Sequence, residues 1–387
     1  MTNSLSRITP KFTIGTGITL LLFLTSCFTT LKDDALSVAQ LPSAAVGAIT
    51  IGPEALPLPG TSQVYIVTFD SSGNITSLDP GKAIYHPYLT AWEGAIAAPT
   101  ATRLLSLRRD GRTSTDLSEN MLRTSAIDES SKHASFWFNS GTTAGNSKYH
   151  SNYIIVDSVG QFSKGSVPGF VFASAQCGDR GYAIVAPYDN FGPDLDTMNH
   201  QLFVTHPKRG SVELSAWKSG YNSRPATGRA ACDTTNDGNR IASLYKDSTN
   251  RFILNLIVFN VPANKRTMHS ISLNGRIASV ADGTIQLLDG SVFWIDLSGQ
   301  MLSASPEENY KAKARWQLPA RIGNDFVVST TRDRVAVIDA RGDATYSEYE
   351  IHTGRRIRGP IKLPWLPGKL KKAGYGTVAS VTSIPGQ

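Results

Sequence analysis

Short apolar runs separated by polar turns fill the chain from residue 64 onward. Each run passes to a polar residue, then to a tight turn that usually holds Gly, then to a stretch in which apolar and polar side chains alternate. The unit reads VYIVTFDSSGNITSL from Val64, RLLSLRRDGRTSTDL from Arg103, NYIIVDSVGQFSKGSV from Asn152 and QLFVTHPKRGSVELSAW from Gln201. It returns as LNLIVFNVPANKRTMHSISL from Leu254, SVFWIDLSGQMLSAS from Ser291 and RVAVIDARGDATYSEYEI from Arg334. A continuous apolar run fits a strand buried on both faces, and alternation fits a strand with one face in water. The polar hinges are Asp70, Asp110, Asp157, His206, Asn260, Asp296 and Asp339. A hinge carboxylate accepts N–H groups of the turn, and Gly tolerates the positive φ that such turns need.

The hinges recur at intervals of about 36 to 54 residues, which matches the length of one four-stranded propeller blade. The pattern therefore predicts an all-β chain folded as a β-propeller of seven four-stranded blades. A β-sandwich or two smaller β domains would also give strand, turn, strand, but with less even spacing. GFVFASA, RIASVA, DFVVSTT and TVASVTSI read as innermost strands. The last, Thr377 to Ile384, is predicted to complete a blade begun by Ala45 to Ile51, which would close the ring and remove its free edges. No segment of ten residues carries helical periodicity. SENMLRTSAIDESSKH from Ser118 reads as a loop with one helical turn, and Pro364-Trp365-Leu366-Pro367 as a stiff extended linker. The body resembles propeller lipoproteins and WD40- or quinoprotein-like repeats in architecture only. It lacks the Trp-Asp blade endings, the Trp docking signature and the sialidase box of those classes.

The N-terminus sets an address. Arg7 and Lys11 precede an uncharged stretch from Phe12 to Leu24 that is too short to span a bilayer and has the build of a signal peptide. Leu24-Thr25-Ser26-Cys27 resembles the lipobox of bacterial lipoproteins. That resemblance implies cleavage before Cys27 and diacylglycerol on its thiol, with two or three acyl chains giving a firm anchor. It divides the chain into a signal peptide (1–26), a lipidated Cys with an extended spacer (27–44) and the propeller (45–387). It places the protein in the cell envelope, lipid-anchored to the membrane on the extracytoplasmic face. Outside the cytoplasm leftover thiols tend to pair. Cys177 and Cys232 occupy comparable contexts, FASAQCGDRGYAIV and GRAACDTTNDGNRIASL, and are predicted to form a disulfide between neighbouring repeats. Two separately buried free thiols are the rival reading.

Composition agrees with a folded body: 41% hydrophobic and 18% charged residues exclude a disordered chain of 387 residues. The net charge of +7 gathers between His352 and Lys372, where seven Lys and Arg meet no acid. Solvated loops explain such a run, and an anionic membrane surface or polymer is the alternative. Nucleic acid is not an expected partner. The seven histidines show no ligand spacing, and Asp233 to Gly238 lacks the acids a calcium loop requires, so neither metal nor cofactor is expected. Ser243-Leu244-Tyr245-Lys246 lies in strand-like sequence, and Gly374 to Ala379 lacks the flanking elements of a phosphate cradle. Trp92, Trp137, Trp217 and Trp365 read as packing between blades rather than as a ligand platform.

These features favour a non-enzymatic scaffold or receptor for a protein partner or cell-envelope polymer. The alternative is a propeller enzyme acting on an envelope glycan, with carboxylates from several blades. Two or more acids and an Arg at one channel mouth would favour the enzyme, and an apolar or loop-lined rim would favour binding.

Overall fold

The computed structural model describes residues 39–385 apart from 54–62, 93, 118–120, 129, 131, 143–148, 188–196, 221–223, 236–237, 248 and 374–375. These residues form seven four-stranded antiparallel sheets set as blades around a central channel: the chain is a seven-bladed β-propeller. Blades 2 to 7 each take four consecutive strands, their inner strands being Thr90–Trp92, Leu122–Asp128, Phe170–Cys177, Ala231–Thr235, Gln286–Leu288 and Phe326–Thr330.

Blade 1 closes the ring as the sequence predicts. Its inner strand is Thr377–Ser383, paired antiparallel with Ala45–Gly52, and Gln63–Asp70 and Ile75–Lys82 follow outward. Partners run from Gly47 with Ser383 to Gly52 with Thr377. All eight residues of Ala45–Gly52 are buried, the condition under which an apolar run replaces alternation. Gly47 is needed there because the Phe69 ring fills the space a Cβ would take. Contact with the body starts earlier, inside the expected spacer: Leu41 is buried and its N–H donates to Arg108 O. Cys27 lies outside the described residues.

The seam between blades 7 and 1 is packed by Ile49, Phe69, Ile338, Tyr346 and Leu366. Beside them Glu348, fully buried, accepts from Arg334 Nη1 at 3.0 Å, Arg358 Nη1 at 2.8 Å and Tyr346 OH at 2.7 Å. Arg358 also donates to Val46 O of blade 1. Charge-assisted bonds from two guanidiniums offset the cost of burying that carboxylate, and removing either arginine would leave it short of a partner. Part of the basic run between His352 and Lys372 is thus structural, and Arg355 and Lys362 pair with Glu350 and Asp343.

Four expectations change. RIASVA forms no strand; Ala278, Val280 and Ala281 are buried between blades as a connection, and the inner strand of blade 6 comes later. The segment after Ser118, expected to be a loop with a helical turn, instead supplies the inner strand of blade 3, whose alternating burial marks one face toward a neighbouring blade. Pro367 lies inside a short helix, Leu366–Lys372, where Pro is tolerated because first-turn N–H groups have no partner within the helix. Finally, the seven hinges are not equivalent. The first five join the third and fourth strands of their blades, whereas Asp296 and Asp339 join the second and third, so the shortest interval, from Asn260 to Asp296, is a shift by one strand. The hinge chemistry itself is as expected: Asp157 Oδ1 accepts Val159 N and Gln161 N, and Asp296 Oδ1 accepts Ser298 N and Gln300 N.

Candidate functional site

All inner strands run in the same direction around the channel, so one mouth gathers their starts and the other their ends. The entrance mouth, at the starts, opens into a cavity of about 380 Å³. Its wall combines Leu297, Ile322, Val327 and Val378 with Tyr85, His86 and Tyr88 from the connection into blade 2. His86 holds a left-handed backbone at φ 54°, and its ring stacks on Tyr88 at 5.4 Å with 7° between planes and packs against Tyr85 at 3.7 Å. Non-Gly residues in that conformation concentrate where the surroundings fix a functional geometry.

Asp282 organises this mouth. It stands in the connection into blade 6, on the opposite side of the ring from Tyr88, and remains open to channel water. Oδ2 accepts the Tyr88 hydroxyl, and Oδ1 accepts the Thr227 hydroxyl and Gly228 N at 3.1 Å. One carboxylate therefore ties the connections into blades 2, 5 and 6 across the channel. Enclosure by protein pushes its carboxyl up, but the hydrogen bonds from Thr227, Tyr88 and Gly228 and the charge of Arg123 bring it below the usual range. Burial and the Asp282 charge push Tyr88 well above its ordinary value, so its proton stays in the bond. Burial lowers His86, Asp282 counteracts this, and Arg123 adds to it. Arg123 Nε donates to Val171 O and its guanidinium lies over Phe170; Arg229 Nη1 donates to Gly283 O and Thr330 O.

The exit mouth is a cavity of about 650 Å³ with a polar wall that includes Asp128, Asp233, Asp289, Asp333, Arg332 and His352. Links between neighbouring blades brace it. Asp128, ending the inner strand of blade 3, accepts Gly178 N of blade 4 at 2.6 Å. Cys177 of blade 4 is bonded to Cys232 of blade 5, with Cα atoms 5.8 Å apart. Asp233 of blade 5 accepts the N–H of Gly290 in blade 6. Three successive seams are thus fastened at equivalent places, twice by carboxylate and once by disulfide. Burial pushes the Asp233 carboxyl up; Arg240 opposes this and Asp289 reinforces it.

The disulfide expected from the sequence is therefore present. Trp92, Trp137 and Trp217 are buried and Trp365 donates from Nε1 to Gly73 O across the closing seam, so they pack blades as expected. Asp233 does not begin a calcium loop; it sits in an inner strand. Ser243 and Lys246 lie on one strand, Gly238–Lys246. Sequence reading missed Tyr85, His86, Tyr88 and Asp282; the aromatic cluster in KAIYHPYLTAW was its one local signal.

No protein-family model matches the chain, and no curated protein matches it. Solved structures similar to it include the β-propeller domain of the Trilobed protease from Pyrococcus furiosus, with TM-score 0.50 and 11% identity over 84% of this chain and 98% of that one. A Synechocystis apocarotenoid oxygenase variant (0.48, 11%, 84% and 91%) and apo AztD from Citrobacter koseri (0.45, 9%, 89% and 96%) are also similar. At these identities the likeness shows the fold alone.

Proposed function

We propose that this protein is a lipoprotein, anchored to a cell-envelope membrane through Cys27, whose propeller binds a protein partner or an envelope polymer at the entrance mouth. The observation that carries the binding role is the Tyr85, His86 and Tyr88 wall, fixed by the bond from Tyr88 to Asp282 across the channel. Rigid aromatic faces beside an apolar cavity contribute contact area at little entropic cost. Asp282, the one carboxylate among the described residues of that mouth, already holds three donors, which suits positioning better than proton transfer. The anchor rests on the lipobox resemblance, and the disulfide agrees with an oxidising compartment.

Two experiments test the reading. Intact-mass analysis of protein from its native host should find an acylated N-terminal Cys27, and retention of residues 1–26 sinks the anchor. A photo-crosslinking residue in place of Ile322 should trap an adduct in the native host that Tyr85→Ala abolishes. Adducts formed only from outer strands would move the binding surface elsewhere.

A second reading, an enzyme acting on an envelope glycan, is favoured by the exit mouth, where Asp233, held protonated to higher pH, faces Asp289 and Arg332. Release of reducing ends from envelope glycan, abolished by Asp233→Asn, would establish it in place of pure binding.

A further inference from the structure

Exposed apolar and basic side chains meet at one corner of the exit side. Third strands run parallel to inner strands, so the hinge turns that follow them in blades 3 to 5 lie on that side. Three of the six large apolar side chains exposed among the described residues stand there: Val159 in the hinge turn of blade 3, and Val212 and Met268 just after those of blades 4 and 5. The outer strands of these blades are joined, Ser211 Oγ donating to Ser166 O at 2.9 Å and the Arg266 guanidinium lying over the Trp217 ring at 5.3 Å. Lys208, Arg209 and Lys265, in or beside the same turns, are exposed and make no ion pair among the described residues. Lys164 and Arg266 add to them. The nearby acids are engaged: Asp157 accepts Val159 N and Gln161 N, Asp179 accepts from His206 Nε2 and lies by Arg180, and Glu213 accepts Gln201 Nε2 at 2.8 Å.

The chain enters the propeller beside this corner. Leu41 N donates to Arg108 O in blade 2, and Arg108 Nη1 donates to Val159 O in blade 3. Fourteen residues separate Leu41 from Cys27, a reach of at most about 50 Å. Acyl chains on Cys27 would therefore hold this corner within a short tether of the bilayer, at an effective concentration where weak contacts suffice. Lys and Arg close to an anionic bilayer are drawn to its headgroups, and exposed apolar side chains beside them enter the interface.

We propose that the exit-side corner of blades 3 to 5 docks on the anionic surface of the membrane that holds the anchor. This rests on the lipidation of Cys27 proposed above and adds an orientation to it: the entrance mouth opens away from the bilayer, toward its partner. Lys208, Arg209 and Lys265 supply the attraction to headgroup phosphates, and Val159, Val212 and Met268 the apolar contact. A bilayer is favoured over a protein as the occupant because the anchored segment joins the body next to Val159.

Full-length acylated protein on phosphatidylcholine vesicles, with and without phosphatidylglycerol, tests this. Val159→Cys, Met268→Cys and, in the connection at the entrance side, Ile277→Cys each carry an environment-sensitive fluorophore. On the anionic vesicles, spin-labelled lipid should quench the labels at 159 and 268 several-fold more than the label at 277. Lys208→Glu/Arg209→Glu/Lys265→Glu should bring all three labels to the same low quenching, and so should phosphatidylcholine alone. Labels at 159 and 268 that stay in water on anionic vesicles overturn the proposal, as does stronger quenching at 277, which would turn the entrance to the lipid. Undiminished quenching in the triple variant, or on neutral vesicles, overturns it too, since headgroup charge would then play no part. If the triple variant does not fold, Met268→Asp with the label at 159 gives the same decision. The two readings fail separately: a mass without acyl chains on Cys27 removes the anchor and this docking with it, whereas an acylated protein whose corner stays in water removes the docking alone.

Discussion

The two mouths of the channel are framed by opposite ends of the same inner strands, yet they are fastened in different ways. At the entrance, contacts cross the opening: Tyr88 of one side meets Asp282 of the other, and Thr124 of blade 3 donates to Gly228 O beside blade 5. At the exit, each of the three braces described above joins a blade to its immediate neighbour. The reason lies in connection length. A chain leaving an outer strand must cross the blade to start the next inner strand, so a connection such as residues 273–285 is long enough to reach the channel. The turn from an inner strand to the second strand needs only two residues in blades 4 and 6, 178–179 and 289–290, which reach no farther than the next blade. Diversity of side chains therefore accumulates at one mouth and rigidity at the other, the division expected when loops carry recognition and a scaffold carries precision.

Cutting the exit braces should give the largest effect. Replacing Cys177 and Cys232 together by Ser frees a loop closed over 55 residues, which the chain-entropy relation values at about 4 kcal/mol of unfolding free energy. Urea titration of variant and parent checks it. The entrance should be untouched, so crosslinking from position 322 should persist in the variant. A loss below about 1 kcal/mol would mean that the closed ring already holds blades 4 and 5 without the bond.

Cutting the entrance clamp comes next. Asp282→Ala strands the Tyr88 and Thr227 hydroxyls and Gly228 N, but water in the channel can replace part of what is lost, so about 1–2 kcal/mol is expected. The pH dependence carries its own sign. Because the Asp282 carboxyl is lowered in the folded protein, its contribution is present above the unfolded value near pH 4 and is lost as the pH falls through the lower folded value. The urea midpoint of Asp282→Asn should therefore fall less than that of the parent between pH 5 and pH 2.

How much of this was legible in the sequence follows the same division. The closing strand at Thr377, the hinge turns and the pairing of Cys177 with Cys232 could be read because each is a local pattern or a covalent option among few partners. The inner strand Leu122–Asp128 could not, since its mixed polarity answers to neighbouring blades rather than to water. Nor could the one-strand shift of Asp296 and Asp339, because any tight turn between strands favours the same Asp and Gly. The entrance site was hidden most deeply. Tyr88 and Asp282 are 194 residues apart, and only the ring brings them together. No spacing rule reaches that far.

Removing a single hydroxyl from the clamp is a gentler cut. Tyr88→Phe keeps the ring that stacks on His86 and removes one bond to a carboxylate that retains two other donors, so the expected cost is about 1 kcal/mol or less. Nuclear magnetic resonance should show the His86 and Tyr85 ring signals broadened or split in the variant, as a wall released on one side samples more positions. Sharp, unshifted signals would mean that stacking alone fixes the wall and that the bond across the channel is incidental.

The smallest effect should carry the opposite sign. Asp233 has its carboxyl raised by burial and by Asp289, so in the folded protein its charged form is the strained one. A raised group contributes stability that is fully present below the unfolded value near pH 4 and is lost as the pH rises through the folded value. Asp233→Asn keeps an oxygen for the Gly290 N–H and removes the charge, so at pH 7 it should stabilise the protein, by about 0.5 kcal/mol, with the gain vanishing toward pH 3. One carboxylate that stabilises as the pH rises guards the entrance, and one that destabilises lies at the exit. Denaturation of Asp282→Asn and Asp233→Asn at pH 3 and pH 7 compares them directly. Equal signs in the two variants would remove the electrostatic distinction between the mouths.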